Sequence, residues 1–257
     1  YNNMDLLFAI KTRIKYLLHA RYWQGHRVHS PYTFDLITNT IYAQYPYYSF
    51  TAIEKIRREL LSNRKKISLK GRTTTVSKEL KRSSKSPKYA QLLQRLAANN
   101  DAKTIVELGT NMGISTLYLA SNNTKARVIT YEREKALTAI AKENINKIGL
   151  QNIEIIEGDI DTTLPATINR IDDIDLLFID ANHTYEATKR YYNTFKSHKS
   201  DKAIFVIDDI HWSPDMEKIW KEIISEKEVR LSIDLFSMGI VIFNNELKKQ
   251  HYIVNYL

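Results

Sequence analysis

The sequence predicts an α/β fold in which a mostly parallel sheet of seven strands has helices on both faces and ends in an antiparallel hairpin. The first observation is that short apolar runs alternate with helical patterns from residue 103 to residue 225. Such alternation is typical of parallel strands joined by crossover helices. The second is that only Ser237, Met238 and Gly239 separate the last two apolar runs. A turn of this length joins antiparallel strands and not parallel ones.

The predicted strands are apolar runs, and capping residues bound the helices between them. Gly149 ends one predicted helix. The pairs Ser86-Pro87 and Ser213-Pro214 each supply an N-cap followed by a proline in the first helical turn. The strands are predicted at residues 103–108, 127–131, 153–156, 174–179, 203–207, 229–236 and 240–243.

We expect two parts, an N-terminal helical extension at residues 1–85 and an α/β domain at residues 86–257. Residues 4–23 of the extension read as a basic amphipathic helix, because apolar side chains recur at helical spacing with lysines and arginines between them. Such a helix packs on its own domain or on a second subunit, or it lies on a membrane surface. We favour packing, which makes a homodimer through the N-terminal helices a candidate assembly.

The positive charge of the chain is concentrated in one segment. The formal net charge is +9, but residues 62–90 contain ten Lys or Arg and a single acid, Glu79, which leaves 28 bases and 28 acids elsewhere. We interpret residues 62–85 as a mobile, solvated linker or lid. A nucleic-acid arm is the alternative, although the segment lacks the interleaved aromatic residues that stack on bases. The ten bases are Arg64, Lys65, Lys66, Lys70, Arg72, Lys78, Lys81, Arg82, Lys85 and Lys88.

The composition also limits the chemistry and the location. The 257 residues contain no cysteine, which excludes disulfides, thiolate metal sites and cysteine nucleophiles. No apolar run reaches the roughly 18 residues of a membrane-spanning helix, and the first residues lack a signal-peptide cleavage pattern. Because the chain begins with Tyr1 rather than Met, we expect its first residues to be missing. We expect a cytoplasmic protein without a membrane span.

Residues 103–120 are predicted to form a strand, a glycine turn and a helix. The turn from Gly109 to Gly113 follows an apolar run with a carboxylate, Glu107, near its end. Such a turn lets backbone N–H groups and a helix N-terminus approach a ligand closely. It also lies at the carboxyl end of a parallel strand, where open α/β sheets bind their ligands. The sequence therefore predicts a cofactor site at this turn.

The Glu-X-Gly-X-X-X-Gly pattern, followed by a sheet that ends in a hairpin, resembles the class I S-adenosylmethionine-dependent methyltransferases. The resemblance covers residues 86–245 and implies a Rossmann-like fold. It implies that the turn bends around the methionine part of the cofactor, that Glu132 accepts hydrogen bonds from the ribose hydroxyls, and that Asp159 binds the adenine amino group. The residues predicted to bind S-adenosylmethionine are Glu107, Gly109, Thr110, Asn111, Gly113, Ser115, Glu132, Asp159 and Asp180.

A dinucleotide-binding dehydrogenase is the competing interpretation of the same turn. It too has a glycine turn after a strand and an acid about 20 residues later. The spacing here is Gly-X-X-X-Gly, and the G-x-G-x-x-G pattern is missing. The closing hairpin also favours the methyltransferase.

The residues after the fourth and fifth strands indicate the acceptor. The amino-methylating nucleic-acid branch of the family has an Asn/Asp-Pro-Pro-aromatic motif after its fourth strand, whereas residues 180–183 read Asp-Ala-Asn-His. Together with Asp208-Asp209, they are similar to the small-molecule O-methyltransferase branch. Cation-dependent members of that branch bind a divalent metal with an Asp at the first position and an Asp-Asn pair at the second. The resemblance implies a small-molecule hydroxyl acceptor and Mg²⁺ or another divalent cation at Asp180, Asp208 and Asp209, with Asp-Asp as a departure from the pattern.

Metal-free chemistry is the alternative at these strand ends. Clustered carboxylates repel one another unless a cation neutralises them or one pKa rises enough to make a general base. A histidine, His183 or His211, would then remove the proton of the acceptor. The candidate catalytic residues are therefore Asp180, His183 and His211.

Two further functions stay open at this point. The basic segment could hold RNA phosphates, which would make the chain an RNA-directed methyltransferase. Alternatively, the chain is a catalytically silent Rossmann-like protein whose N-terminal helices mediate assembly. The acceptor itself carries no signature in the sequence.

Overall fold

The computed structural model describes residues 3–69 and 71–256. Lys70, one of the ten bases of the basic segment, lies outside the described residues. The chain divides into two compact units, which are Ala43–Ile171 and the combination of Tyr1–Tyr42 with Asp172–Leu257. The domain boundary predicted after residue 85 stays a prediction.

Helices and strands alternate through most of the described chain. Short 3-10 turns occur at Trp23–Gly25 and Ile168–Arg170, and a π-helical stretch occurs at Leu36–Ile41. The helices are α1 (Asn3–His19), α2 (Pro31–Asp35), α3 (Tyr48–Ser62), α4 (Val76–Ser83), α5 (Pro87–Asn99), α6 (Ile114–Ser121), α7 (Lys135–Ile148), α8 (Ile160–Thr167), α9 (Tyr185–Lys196) and α10 (Pro214–Ser225). The strands are β1 (Lys66–Leu69), β2 (Arg72–Thr75), β3 (Thr104–Leu108), β4 (Arg127–Glu132), β5 (Ile153–Glu157), β6 (Ile174–Ile179), β7 (Lys199–Asp208), β8 (Leu231–Asp234), β9 (Met238–Ile242) and β10 (Gln250–Ile253).

The unit Ala43–Ile171 contains three parallel strands in the order β3-β4-β5. The register pairs Leu108 with Tyr131 and Glu132 with Glu157, so the three strands end at the same edge. Helix α6 connects β3 to β4, and α7 connects β4 to β5, as expected for parallel neighbours. The residues that follow these strands are therefore close in space.

The basic segment is part of the core of this unit and is not a linker. Strands β1 and β2 pair antiparallel, and α4 follows them directly. The side chains of Ile67, Leu69, Val76 and Leu80 are buried in the same cluster as residues of α3 and α6. This packing does not fit a solvated linker, while the interpretation of residues 62–85 as a lid stays a prediction. Apolar residues recur every second position in β1 and at i, i+4 in α4, so the bases occupy the outer faces.

The other unit contains five strands in the order β10-β8-β9-β7-β6. Strands β6 and β7 are parallel, and β9 is antiparallel to both β7 and β8. All seven predicted strands are present, and the predicted mostly parallel α/β fold with an antiparallel hairpin is confirmed. Strand β10, parallel to β8, was not predicted, because its Gln-His-Tyr-Ile sequence has little apolar pattern.

Helix α1 belongs to this second unit. Its Thr12 and Tyr16 side chains are buried, and the Tyr16 hydroxyl donates a hydrogen bond to the carbonyl oxygen of Val254. Helix α1 therefore packs on the unit that contains the C-terminal residues. In the part of the chain that the structure describes, every helix is too short or too polar to cross a membrane.

Candidate functional site

The glycine turn between β3 and α6 is held by backbone hydrogen bonds to the end of β4. The N–H groups of Gly109 and Thr110 both donate to the carbonyl oxygen of Tyr131 at 3.1 Å. Gly113 has a φ of +84° at the N-cap position of α6, and its N–H closes the turn on Thr110 at 2.8 Å. Ser115 lies in the first turn of α6. The turn thus has the backbone conformation that the glycine spacing predicts.

Glu132, the last residue of β4, bonds to this turn through its side chain. Its Oε2 accepts from the backbone N–H of Asn111 at 2.8 Å, and its Oε1 accepts from that of Glu134 at 2.9 Å. Burial raises the pKa of the Glu132 carboxyl, although the amides of Glu134 and Asn111 favour its charged form. A carboxylate offers about four lone-pair sites, so the Glu132 carboxylate keeps capacity for a further hydrogen bond beside the amides of Asn111, Glu134 and Arg133.

Glu107 is buried beneath the turn and bonds to threonine hydroxyls. Its Oε2 accepts from Thr116 at 2.5 Å and from Thr130 at 2.7 Å. Because the Thr130 proton goes to Glu107, the Thr110 hydroxyl donates to Thr130 at 2.6 Å. The described contacts give Glu107 a role in fixing the turn, and direct binding of a cofactor by Glu107 stays a prediction.

Asp159 follows β5 and caps the next helix. Its Oδ1 accepts from the N–H of Asp161 at 3.0 Å, and its Oδ2 lies 3.4 Å from Nη1 of Arg133. The Gly158 N–H donates to the carbonyl oxygen of Glu132 at 2.9 Å. The side chains predicted to contact the ribose and the adenine thus occur at adjacent strand ends, with Arg133 beside them.

In the other unit, the ends of β6 and β7 bring together two carboxylates and one imidazole. Asp180, His183 and Asp208 each offer a ligand atom, and these atoms lie within 4.8 Å of one another. Nε2 of His183 is 3.4 Å from Oδ1 of Asp180, and Asp208 is fully buried. The sequence predicted Asp209 as the third ligand, but the group that the structure brings together contains His183 instead.

Two turns of unusual backbone geometry form this cluster. Asn182 and His183 have φ values of +63° and +35°, and Asp209 has +53°. Non-glycine residues rarely adopt such conformations, so the surrounding contacts must hold them. The amide of Asn182 donates to the Tyr191 hydroxyl at 2.6 Å, and the N–H of Asp209 donates to the carbonyl oxygen of Ser237 at 2.7 Å. Strain at a pair of strand ends is typical of functional sites.

His211 lies between two carboxylates. Its Nε2 is 2.7 Å from Oδ2 of Asp234, and its Nδ1 is 3.2 Å from Oε1 of Glu217. Burial lowers the pKa of His211, but Asp234 and Glu217 together raise it above its usual value. An imidazole that donates from both nitrogens has no lone pair to accept a proton. The geometry therefore does not favour His211 as a general base, and His183 is the better candidate.

Comparison with known proteins finds a matching domain model and a similar fold. Residues 106–210 match a family model described as a methyltransferase domain. The fold is similar to that of an O-methyltransferase from Bacillus cereus in complex with SAH, with a TM-score of 0.61 and 19% identity over 80% of this chain and 95% of that one.

Residues 106–210 are thus similar to a methyltransferase domain.

Relatives with known names match part of the chain. A catechol O-methyltransferase of Niastella koreensis is 37% identical over 100 residues, which are 38% of this chain and 45% of the relative. A tRNA (guanine-N(7)-)-methyltransferase of Mycoplasma mobile is 31% identical over 94 residues, which are 36% of this chain and 47% of the relative. The chain thus spans about half the length of the relatives it matches.

One neighbour of the glycine turn in the unit Ala43–Ile171 was not predicted. The Asn111 amide donates to the hydroxyl of Ser83 at 2.7 Å, so the C-terminal end of α4 lies beside the turn. Ser83 belongs to the segment, residues 62–85, that is predicted from the sequence as a linker or lid. No pattern signals it, because a contact between residues 28 positions apart depends on packing alone.

Proposed function

We propose that the chain transfers a methyl group from S-adenosylmethionine to a hydroxyl oxygen of a small molecule. The observation that carries the proposal is the bond between the Glu132 carboxylate and the Asn111 amide, which joins the glycine turn to the end of β4. The bond places the backbone of the glycine turn beside the Glu132 carboxylate. That carboxylate can accept hydrogen bonds from the hydroxyls of a bound diol. The relative named as a catechol O-methyltransferase supports the class of acceptor.

The residues at the strand ends fit the chemistry of this cofactor. Glu132 has lone pairs available for the two ribose hydroxyls, while the turn from Gly109 to Gly113 would hold the methionine part. Asp159 and Arg133 would contact the adenine. The bound cofactor supplies a methyl group activated by a sulfonium. The protein then has to hold the acceptor oxygen in line with that methyl group and keep the oxygen deprotonated.

Deprotonation of the acceptor is assigned to Asp180, His183 and Asp208. We propose that these side chains hold a divalent cation, because two carboxylates and an imidazole are a common ligand set. The imidazole favours a first-row ion such as Mn²⁺ over Mg²⁺, which prefers oxygen ligands. Without a cation, His183 is oriented by Asp180 and acts as the general base. Titration of the purified protein with Mn²⁺, followed by electron paramagnetic resonance, separates the two roles.

The decisive experiment measures cofactor binding before activity. S-adenosylhomocysteine should raise the Tm of the protein in a concentration-dependent manner, and S-adenosylmethionine should then be consumed only when catechol is added. Mass spectrometry should find the methyl group on oxygen. A Tm that neither compound changes would contradict the proposal and favour the catalytically silent assembly protein.

An RNA acceptor is the second candidate. It is supported by the exposed bases on the outer faces of β1 and α4, which include Lys66, Lys78 and Lys81, and by the relative named as a tRNA methyltransferase. Phosphate contacts make affinity fall steeply with added salt. A filter-binding assay with transfer RNA at low and high salt tests it, and no retention at low salt would dismiss it.

A further inference from the structure

Helix α1 exposes an apolar stripe on the side opposite to the one that packs on the protein. The buried side is fixed by Thr12 and Tyr16, which are 5% and 3% exposed. The Tyr16 ring lies 5.0 Å from that of Phe236, and its hydroxyl also accepts from the N–H of Tyr256 at 3.2 Å. Phe8 lines a groove together with Glu217 and other residues of α10. These contacts set the rotation of α1 about its own axis.

The stripe contains large aliphatic side chains at helical spacing. At roughly 100° per residue its members fall on one side of the helix, about half a turn away from Thr12 and Tyr16. Their exposed fractions run from 49% to 68%. An exposed apolar patch of this kind indicates an interaction surface. The stripe consists of Leu7, Ile10, Ile14, Leu17 and Leu18.

Among the side chains of α1 that the structure describes, bases border the stripe on both sides. Lys11 and Lys15 lie along one side of it and Arg13 along the other, and all three are exposed. The sequence contains no Asp or Glu from residue 6 to residue 34, while it contains five Lys or Arg. Directly beyond the helix, Trp23 is 59% exposed, and tryptophan is favoured at the interface between lipid and water.

A second copy of the chain fits this surface poorly. Leu7, Ile10, Ile14 and Leu17 have the 3-4-3 spacing of a coiled-coil seam, in which the flanking positions decide pairing. Those positions are occupied by Lys11 and Arg13. Two copies of α1 would place like charges opposite each other, with no acid between residues 6 and 34 to neutralise them. An anionic surface neutralises them instead.

We infer that α1 docks the protein on an anionic lipid surface, with the stripe among the acyl chains and the flanking bases at the phosphate level. A basic amphipathic helix that lies in the plane of the membrane has these features. Apolar burial and attraction to acidic headgroups contribute together. The protein would then be bound at the membrane surface without spanning it.

The test is flotation of the full chain with lipid vesicles. The wild-type protein should bind vesicles of phosphatidylcholine mixed with phosphatidylglycerol, bind pure phosphatidylcholine vesicles much more weakly, and lose binding as salt is added. The double variant Ile14→Glu with Leu17→Glu should bind at least tenfold more weakly. As a matched control, Tyr48→Glu changes a fully exposed aromatic side chain outside α1 and should bind as the wild type does.

A second variant separates charge from apolar burial. Replacing Lys11, Arg13 and Lys15 with Gln keeps the stripe intact and should lower the partition coefficient about fivefold per base. Circular dichroism and Tm measurements should match those of the wild type, since all the changed side chains are exposed. Equal vesicle binding by the wild type and the Ile14→Glu/Leu17→Glu variant would overturn the inference. A second result would also overturn it. If the wild type does not bind anionic vesicles but forms a dimer in sedimentation, and the Ile14→Glu/Leu17→Glu variant is a monomer, then the stripe binds a second copy of the chain.

Discussion

The backbone amide of Asn111 donates a hydrogen bond of 2.8 Å to the carboxylate of Glu132. These residues are 21 positions apart in the chain, and the bond exists because β3 and β4 are parallel neighbours that end together. Glu132 therefore supports the glycine turn and also offers acceptor capacity beside it. A change at Glu132 is expected to affect both the stability of the turn and the binding of the nucleoside.

Glu132→Gln should weaken binding of S-adenosylhomocysteine by about tenfold or more, because an amide accepts hydrogen bonds less strongly than a carboxylate and has only one acceptor oxygen. Isothermal titration calorimetry measures the effect. Glu134→Gln is the matched control, since the Glu134 side chain is 3.6 Å from Arg133 and its backbone amide, which Glu132 uses, is kept. Equal affinities for both variants would remove Glu132 from the site.

Gly113→Ala should destabilise the protein by about 1–2 kcal/mol and weaken cofactor binding. Its φ of +84° disfavours any side chain, and an added Cβ would lie 3.2 Å from Cβ of Ala141. Gly149→Ala is the control, because Gly149 has a similar φ of +80° with nothing within 4 Å of an added Cβ. Urea unfolding should show the larger loss for Gly113→Ala, and only that variant should lose affinity. If Gly113→Ala and Gly149→Ala lose the same free energy of unfolding, crowding of the added Cβ against Ala141 does not contribute to the loss.

Asp180→Asn and Asp208→Asn should each abolish Mn²⁺ binding and reduce kcat by at least about a hundredfold, while S-adenosylhomocysteine still binds. Asp209→Asn should keep both Mn²⁺ binding and kcat, because Asp209 is not in the group whose ligand atoms lie within 4.8 Å of one another. Its φ of +53° is one that Asn tolerates well. Metal titration and steady-state rates check the three variants. If Asp209→Asn abolishes Mn²⁺ binding as Asp180→Asn and Asp208→Asn do, the ligand set predicted from the sequence would be correct.

Glu79→Gln should remove about 2 kcal/mol of stability at neutral pH, since it breaks bonds of 2.7 Å to Arg72 and 2.6 Å to Arg82. Burial raises the pKa of Glu79, but Arg82 and Arg72 outweigh it and hold that pKa below the usual 4.5. The stabilising contribution is therefore present above pH 4.5 and is lost as pH falls through the lower folded pKa.

Urea unfolding as a function of pH tests this prediction. The difference between wild type and Glu79→Gln should be constant at neutral pH and should shrink in acid. Glu59→Gln is the control, because Glu59 pairs with Lys147 at 2.9 Å on the surface, where an ion pair contributes little. A difference in the free energy of unfolding that grows as the pH falls would contradict a lowered pKa for Glu79.

The sequence predicted much of the fold because the relevant signals are local. Alternating apolar runs locate all seven predicted strands, and the Ser-Pro pairs at residues 86 and 213 mark the starts of α5 and α10. For residues 62–85, the high net charge suggested a solvated segment. The apolar residues between the bases, such as Ile67 and Leu80, are instead buried in the core. Strand β10 escaped because its short polar sequence is a strand only through its pairing with β8.

The α/β order of the chain and the residues at its strand ends follow from the amino-acid sequence, since both depend on periodicity and on spacing along the chain. Tertiary structure alone decided the partners of those residues. It joined His183 rather than Asp209 to Asp180 and Asp208, and it placed His211 between Asp234 and Glu217. It also turned the apolar side of α1 outward. The physical reason is that these contacts depend on backbone turns and packing between distant segments, which one-dimensional patterns do not encode.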